Sequence, residues 1–316
     1  MDLKTGLVGR SSEEGREVDL IIAGGGPAAI SAALYAARYG MDHVVLESYQ
    51  PGGQAALTAW IENYPGIERI AGGDLATGMK EQAESWGAVF ESATVTSAVP
   101  STSGDLIEVR ADSTVYLARY LIIATGAAPA RLGIPGEDKF YGRGVSYCAT
   151  CDAPFFKGAH VMVVGGGDSA VKEALHLSEF ASRLTLIHRR DKFRAEPYLT
   201  EKLLSCGNCI VLWNTVLKAI EGEENVESAV VETPEGRNRI DLDGVFIYVG
   251  RKPATEPFSE LVDLNDNGTV RTSDIVHTSR SNVFAAGDVT DNELRQIVTA
   301  VSDGARAASA AFDMLQ

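Results

Sequence analysis

No stretch of this 316-residue chain stays apolar long enough to span a bilayer. The opening stretch, MDLKTGLVGRSSEEGREVD, lacks the apolar core of a secretory leader. Positive charge is short as well. Against 43 aspartates and glutamates stand 28 lysines and arginines, a net charge of −15, which disfavours nucleic acid as the main ligand. Cysteine is scarce, with four in the whole chain. Together these shortages point to a cytoplasmic protein that binds neither membrane nor nucleic acid. In that reducing setting a Cys-x-x-Cys pair is catalytic or metal-binding before it is a structural staple. What remains is ordinary globular composition, 45% hydrophobic and 22% charged, with room for two domains of usual size.

Two of the cysteines fall together in YCATCDAPFF, residues 147–156, with an acid directly after the second. Such a pair can be a structural disulfide, half of a zinc site, or a dithiol that cycles between oxidised and reduced. The stretch by itself leaves all three open.

The glycines, 32 in all, lie partly in short clusters that mark an internal repeat. Residues 18–47 read VDLIIAGGGPAAISAALYAARYGMDHVVLE, and residues 159–188 read AHVMVVGGGDSAVKEALHLSEFASRLTLIH. Each is a β-branched apolar run, a glycine triplet, a helical pattern and a second apolar run. Glu47 follows Gly24 at the interval at which His188 follows Gly165, 23 positions. The chain therefore carries two βαβ nucleotide-binding units. Each matches the dinucleotide fingerprint with alanine in its last place: Gly24-x-Gly26-x-x-Ala29 and Gly165-x-Gly167-x-x-Ala170. The first glycine makes the tight turn and the second lets backbone approach a pyrophosphate. The small third residue lets the helix pack on the strand, and the helix N-terminus receives the anion.

The two copies differ chemically at the end of the second strand. The first copy ends in Glu47, a carboxylate placed to accept hydrogen bonds from an adenosine ribose, as in FAD or NAD. The second ends in HRRDKFR, where Arg189, Arg190 and Arg194 supply the fork-shaped donors that a ribose 2′-phosphate requires. The second site is thus expected to take NADPH. Two further segments, YLIIATGAAP (120–129) and GVFIYVGRKP (244–253), are apolar strands ending Gly-x-x-Pro. They predict crossings between a discontinuous outer domain, residues 1–126 and 254–316, and an inserted domain, 127–253. Near the C-terminus, VFAAGDVTD places Asp288 at a strand end, where its carboxylate suits a polyol chain such as ribityl.

With these residues in view, the chain resembles the low-molecular-weight thioredoxin reductases, NADPH-dependent flavoproteins. The landmarks appear in family order from about residue 18 to the end: GGGPAA, PGGQ at 51–54, ENYPG at 62–66, ATGA, GRGVSYCATCD, GGGDSAVKEA, HRRDKFRA, AAGDVTD and LRQ. The resemblance implies an α/β fold with two Rossmann-like domains, the NADPH domain inserted into a discontinuous FAD domain. It implies FAD contacts from Gly24, Gly26, Pro27, Ala28, Ala29, Glu47, Gly53, Gln54, Asn63, Asp288, Arg295 and Gln296. For NADPH the matching positions are Gly165, Gly167, Asp168, Ser169, Ala170, His188, Arg189, Arg190 and Arg194. Cys151 would exchange electrons with the flavin, Cys148 would attack the disulfide of thioredoxin or a similar small protein, and Asp152 would be the acid–base group. The family is commonly homodimeric, and its fold implies a swivel at the two crossings.

The chemistry of the residues agrees. A thiolate attacks a disulfide, so a neighbouring group must manage protons, and a partly buried carboxyl can do so. A flavin is needed because NADPH delivers a hydride whereas disulfide reduction proceeds through thiolates. On this reading the pair is redox-active and no metal is expected. A zinc site joining Cys148 and Cys151 to Cys206 and Cys209 would have to bridge 54 intervening residues and leaves both nucleotide units unexplained.

Departures remain. CDAPFF stands where the family has CDGFF, so Ala153 replaces glycine and Pro154 stiffens the segment. Phe155 and Phe156 line either a docking patch or the core. SCGNCI, with Cys206 and Cys209, is outside the family pattern. The competing enzymes are a ferredoxin-fed reductase and a dithiol oxidase, both of which usually lack a sound NADPH fingerprint. A peroxiredoxin-system reductase usually carries extra domains for which this chain has no room. A redox sensor would leave the full set of reductase parts without a use. The first 17 residues carry no motif.

Overall fold

The structure is a computed structural model and describes residues 16–58, 60–102, 104–292 and 294–316. The first strand begins at Arg16, so the motif-free opening already enters the sheet there, and residues 1–15 lie outside the described residues. The described residues divide into two compact units, those within 1–55, 74–126 and 253–316 forming one and those within 56–73 and 127–252 the other. Among the described residues no helix is long and apolar enough to cross a membrane.

In the first unit, strands run in the order Phe90–Ser92, His43–Glu47, Arg16–Ala23, Thr114–Ile123, Ile107–Ala111, Val95–Pro100. The first four pair in parallel, with Leu20 opposite His43 on one side and Tyr120 on the other. The last two form an antiparallel meander against the long strand. Beyond the meander, Val283–Ala285 takes up parallel pairing with the end of that same strand. Covered on both faces, the central strand reads as an unbroken apolar run. Leu20 and Ile22 face a helix layer containing Ile30 and Ala33, while Ile21 and Ala23 face a second cluster with Phe258 and Val283.

The second unit repeats the plan. Cys209–Leu212, Arg183–Ile187, His160–Gly165, Gly244–Tyr248 and Val145–Ser146 form an all-parallel sheet in that order. Val161 and Val163 face the helix Asp168–Ser178, and Met162 and Val164 face the opposite cluster. A three-stranded antiparallel sheet, Val216–Glu221, Ser228–Thr233 and Gly236–Asp241, covers that second face with Leu217, Ala229 and Val231. Burying each large aliphatic side chain here stabilises by about 1.5–3 kcal/mol. The repeat read from the sequence is thus a structural repeat, an α/β fold with two Rossmann-like units.

Candidate active site

In the first unit the glycine triplet joins Arg16–Ala23 to the helix Pro27–Arg38. Gly24 has φ +106, and a Cβ there would lie 2.4 Å from the Ala124 carbonyl oxygen, so only glycine fits. A Cβ on Gly25 would strike the Glu47 side chain at 2.7 Å. Around Gly26 nothing stands within 4 Å of that position, and no side chain caps the helix that it begins. The cradle is therefore open where an anion meets the helix N-terminus. Glu47 is fixed beside it, its Oε1 accepting hydrogen bonds from the Tyr49 N–H (2.9 Å) and the Ser48 hydroxyl (3.3 Å). The PGGQ loop comes to the same place, since the Gly52 N–H donates to the Gly25 carbonyl at 2.7 Å and Gly53 approaches Gly26. Gln54 comes next, half-buried, on the helical turn Gly53–Ala56.

Asp288 reaches this neighbourhood through packing. It lies on the turn Gly287–Val289, and Gly287 abuts Ala28 on the fingerprint helix. Asp303, buried on the helix Ile297–Leu315, accepts from the Gly287 N–H and the Asn292 amide and so fixes that turn. Burial pushes the Asp303 carboxyl above the ordinary aspartate range. Arg295 is exposed, and Gln296 caps the C-terminal helix together with Thr299. Gly24, Gly26, Pro27, Ala28, Ala29, Glu47, Gly53, Gln54, Asp288, Arg295 and Gln296 all belong to this unit. Asn63 does not: it is exposed on the 56–73 segment, which groups with the other unit.

The second triplet is built alike. A Cβ on Gly165 would lie 2.5 Å from the Tyr248 carbonyl oxygen, and one on Gly166 would strike the His188 ring at 2.3 Å. Gly167 is open, like Gly26, and its helix, Asp168–Ser178, has no side-chain cap. The basic segment is laid against this cradle by two hydrogen bonds, Arg194 N–H to the Gly166 carbonyl and Glu196 N–H to Asp168 Oδ1, both 2.8 Å. Arg189, Arg190 and Arg194 are exposed, as is Ser169, while Ala170 is buried. His188 is buried, and its Nε2 has no hydrogen-bond partner. Burial, and then the charges of Arg194 and Arg190, hold its imidazole below the ordinary histidine range, so it is neutral beneath three cations.

The two cysteines follow the short strand Val145–Ser146 in the same unit and are joined as a disulfide. Ser146 positions the first: the Cys148 N–H donates to its hydroxyl at 3.0 Å. Cys148 then caps the turn Ala149–Asp152, its sulfur accepting the Cys151 N–H at 3.2 Å. Tyr147, immediately before, donates its hydroxyl to buried Glu137 at 2.6 Å. Burial would raise the Glu137 carboxyl, but that hydroxyl and the N–H groups of Leu132, Gly133 and Ile134 hold it below the usual range. Asp152 is half-buried at the end of the turn. The departures from the family pattern find a place too. Ala153 is fully buried with φ −51, a conformation that does not call for glycine. Phe156 packs edge-on against Phe246 with centroids 5.1 Å apart, whereas Phe155 is 84% exposed.

One group near the dithiol was not read from the sequence. Glu173 on the second fingerprint helix is enclosed behind the dithiol turn and accepts the Thr150 N–H. Its Oε2 and the Thr150 hydroxyl have no hydrogen-bond partners. Burial pushes this carboxyl up to about 7. Tyr248 stands next to it and accepts the Ala149 N–H at 2.8 Å. The signal was present, because Glu173 shares the face of Ala170, Ala174 and Leu177, the buried stripe of its helix. Among the described residues no group of three or more His, Cys, Asp or Glu is set to hold a metal.

Two nucleotide cradles of one design, the second sharing its unit with a Cys-x-x-Cys disulfide, define a class: dinucleotide-dependent disulfide oxidoreductases. Residues 18–304 match the family model for pyridine nucleotide-disulphide oxidoreductases, and the chain belongs to that family. It is 43% identical to a thioredoxin reductase of Bacillus subtilis, over 92% of each chain. It is 44% identical to one of Treponema pallidum, over 95% of this chain and 99% of the other. The crystal structure of Lactococcus lactis thioredoxin reductase superposes with a TM-score of 0.91 at 39% identity, covering 94% of this chain and 99% of that one.

Proposed function

We propose that this chain is a thioredoxin-disulfide reductase that draws electrons from NADPH and delivers them through FAD and the Cys148–Cys151 disulfide to a small disulfide protein. The observation that carries the reading is the disulfide itself, set on the turn Ala149–Asp152 in the unit that holds the second cradle. The cradles fit the cofactors, being open at Gly26 and Gly167 and closed around the glycines before them. We assign FAD to residues 1–126 and 254–316, with contacts from Gly24, Gly26, Pro27, Ala28, Ala29, Glu47, Gly53, Gln54, Asn63, Asp288, Arg295 and Gln296. NADPH is assigned to residues 127–253, where Gly165, Gly167, Asp168, Ser169 and Ala170 receive the pyrophosphate end. His188, Arg189, Arg190 and Arg194 receive the 2′-phosphate. When bound, FAD would supply the two-electron chemistry that links a nicotinamide hydride to a disulfide.

The chain's own residues then do the rest. Cys151 receives the electron pair, and Cys148, whose sulfur accepts the Cys151 N–H, attacks the partner's disulfide. Asp152 supplies and recovers the proton that one sulfur needs as it leaves. Cys151 resolves the mixed disulfide by attacking Cys148, which releases the partner in reduced form and restores the Cys148–Cys151 bond. Exposed Phe155 beside the pair gives an apolar contact for the partner. The family likeness supports a homodimer, and the acidic composition with few cysteines supports a cytoplasmic enzyme. The test is NADPH oxidation in the presence of oxidised thioredoxin, with a ferredoxin-fed assay beside it. Thioredoxin-dependent NADPH oxidation is expected, and electron entry from ferredoxin alone would overturn the reading.

A further inference from the structure

The other two cysteines close a tight turn on the NADPH unit. Cys206 and Cys209 flank Gly207 and Asn208 between the helix Pro197–Leu204 and the edge strand Cys209–Leu212, and the Cys209 N–H donates to the Cys206 carbonyl at 3.3 Å. A turn so closed holds its end Cα atoms within about 7 Å, inside the range that a disulfide spans without backbone movement. The two thiols share one small neighbourhood: the Cys206 thiol donates to the Lys202 carbonyl at 3.4 Å with the Ser178 hydroxyl 3.9 Å from its sulfur, and the Cys209 thiol donates to Asn208 Oδ1 at 3.7 Å. Both residues are free thiols and partly exposed. This pair sits at the start of one edge strand, whereas Cys148 follows the end of the opposite edge strand of the same parallel sheet. It is therefore remote from the dithiol described above.

We propose that Cys206 and Cys209 are a second, peripheral thiol–disulfide site that is oxidised reversibly by low-molecular-weight disulfides. Cys206 attacks one sulfur of the small disulfide, forms a mixed disulfide and releases one thiolate. Cys209 gives its proton to solvent and attacks Cys206, releasing the second thiolate. Two protein thiols are oxidised and one small disulfide is reduced to two thiols. Burial, with the charge and hydrogen bond of Cys206, pushes the Cys209 thiol up to about 12, which leaves the first attack to Cys206.

The test uses the full chain with its flavin and with Cys148→Ser and Cys151→Ser, so that only the second pair can react. After reduction and desalting, it is exposed to glutathione disulfide, alkylated, and measured by intact mass and peptide mapping. The expected product has lost two hydrogens, carries no glutathione and contains a peptide linking Cys206 to Cys209; dithiothreitol reverses it. Adding Cys209→Ser should trap a stable glutathione adduct on Cys206, and adding Cys206→Ser should leave Cys209 to be alkylated. Two alkylated thiols in the parent, or a stable glutathione adduct there, would overturn the proposal. The outcome is independent of whether thioredoxin is the enzyme's substrate.

Discussion

The two fingerprint helices begin from the same turn and end up doing different work. In each copy the middle glycine lies over a residue at the close of the second strand: Glu47, its last residue, beneath Gly25, and His188, one past its end at Ile187, beneath Gly166. The backbone builds the same cradle twice, over a carboxylate in the first copy and an imidazole in the second. The helices then diverge on their outer faces. Pro27–Arg38 buries a stripe of alanines, and Gly304 on the C-terminal helix comes so near that a Cβ would lie 2.0 Å from the Ala28 carbonyl. At the position equivalent to Ala32, the second helix carries Glu173, which faces the dithiol turn. Small residues let the first copy pack a helix tightly. The acid gives the second copy a proton-holding group behind its disulfide.

The difference is broken most severely at the dithiol, which only the second copy serves. Cys148→Ser should lower thioredoxin reduction by at least about 1000-fold while NADPH still reduces the flavin. Steady-state turnover and flavin absorbance separate the two steps.

Glu173→Gln removes the buried acid that the first copy lacks. A carboxyl raised from 4.5 to about 7 binds a proton more tightly in the folded chain. Wild-type stability therefore falls as pH rises from about 4.5 to 7, and the full cost, roughly 3 kcal/mol, persists above. The variant should match wild type near pH ~4.5 and be more stable by up to that amount near pH ~8.5, as read from chemical denaturation at each pH. An equal offset at both values would show that the acid does not titrate as described.

Changing Arg189 and Arg190 together to glutamine should make the second cradle more like the first. Each charge-assisted hydrogen bond lost costs about 1.5–3 kcal/mol, so losing both should raise KM for NADPH by about 100-fold or more while KM for NADH moves little. The smallest effect sharpens the likeness. Gly167→Ala places a methyl group where no protein atom lies within 4 Å. Thermal unfolding should hardly change while KM for NADPH rises about 10-fold from crowding of the pyrophosphate. Gly26→Ala should in the same way weaken flavin retention and leave NADPH binding alone.

Much of this was legible in the sequence because the cradles are local. A strand, a glycine turn and a helix at a fixed interval specify their own geometry, so Gly24, Glu47, Gly165 and His188 could be read from spacing. The paired Gly-x-x-Pro strand ends lie beside the 126/127 and 252/253 boundaries of the two units, whereas nothing in the sequence marked the 56–73 segment, which groups with the second unit. What could not be read came from packing between distant segments. Glu173 becomes an unusual acid only because the dithiol turn folds over it. Asp303 matters only because the C-terminal helix returns to the Gly287–Val289 turn. The split between Phe155 and Phe156 depended on where Phe246 lies, and sequence order does not give that.

The central claim is that hydride entering the second copy ends as two thiols at Cys148 and Cys151. It is tested most directly by anaerobic titration of the flavin-loaded protein with NADPH, following flavin absorbance and counting alkylated thiols by peptide. Bleaching that consumes more than one equivalent per flavin, with new thiols confined to Cys148 and Cys151, is the predicted result. A flavin that stays oxidised, or one that bleaches while Cys148 and Cys151 remain a disulfide, would contradict it.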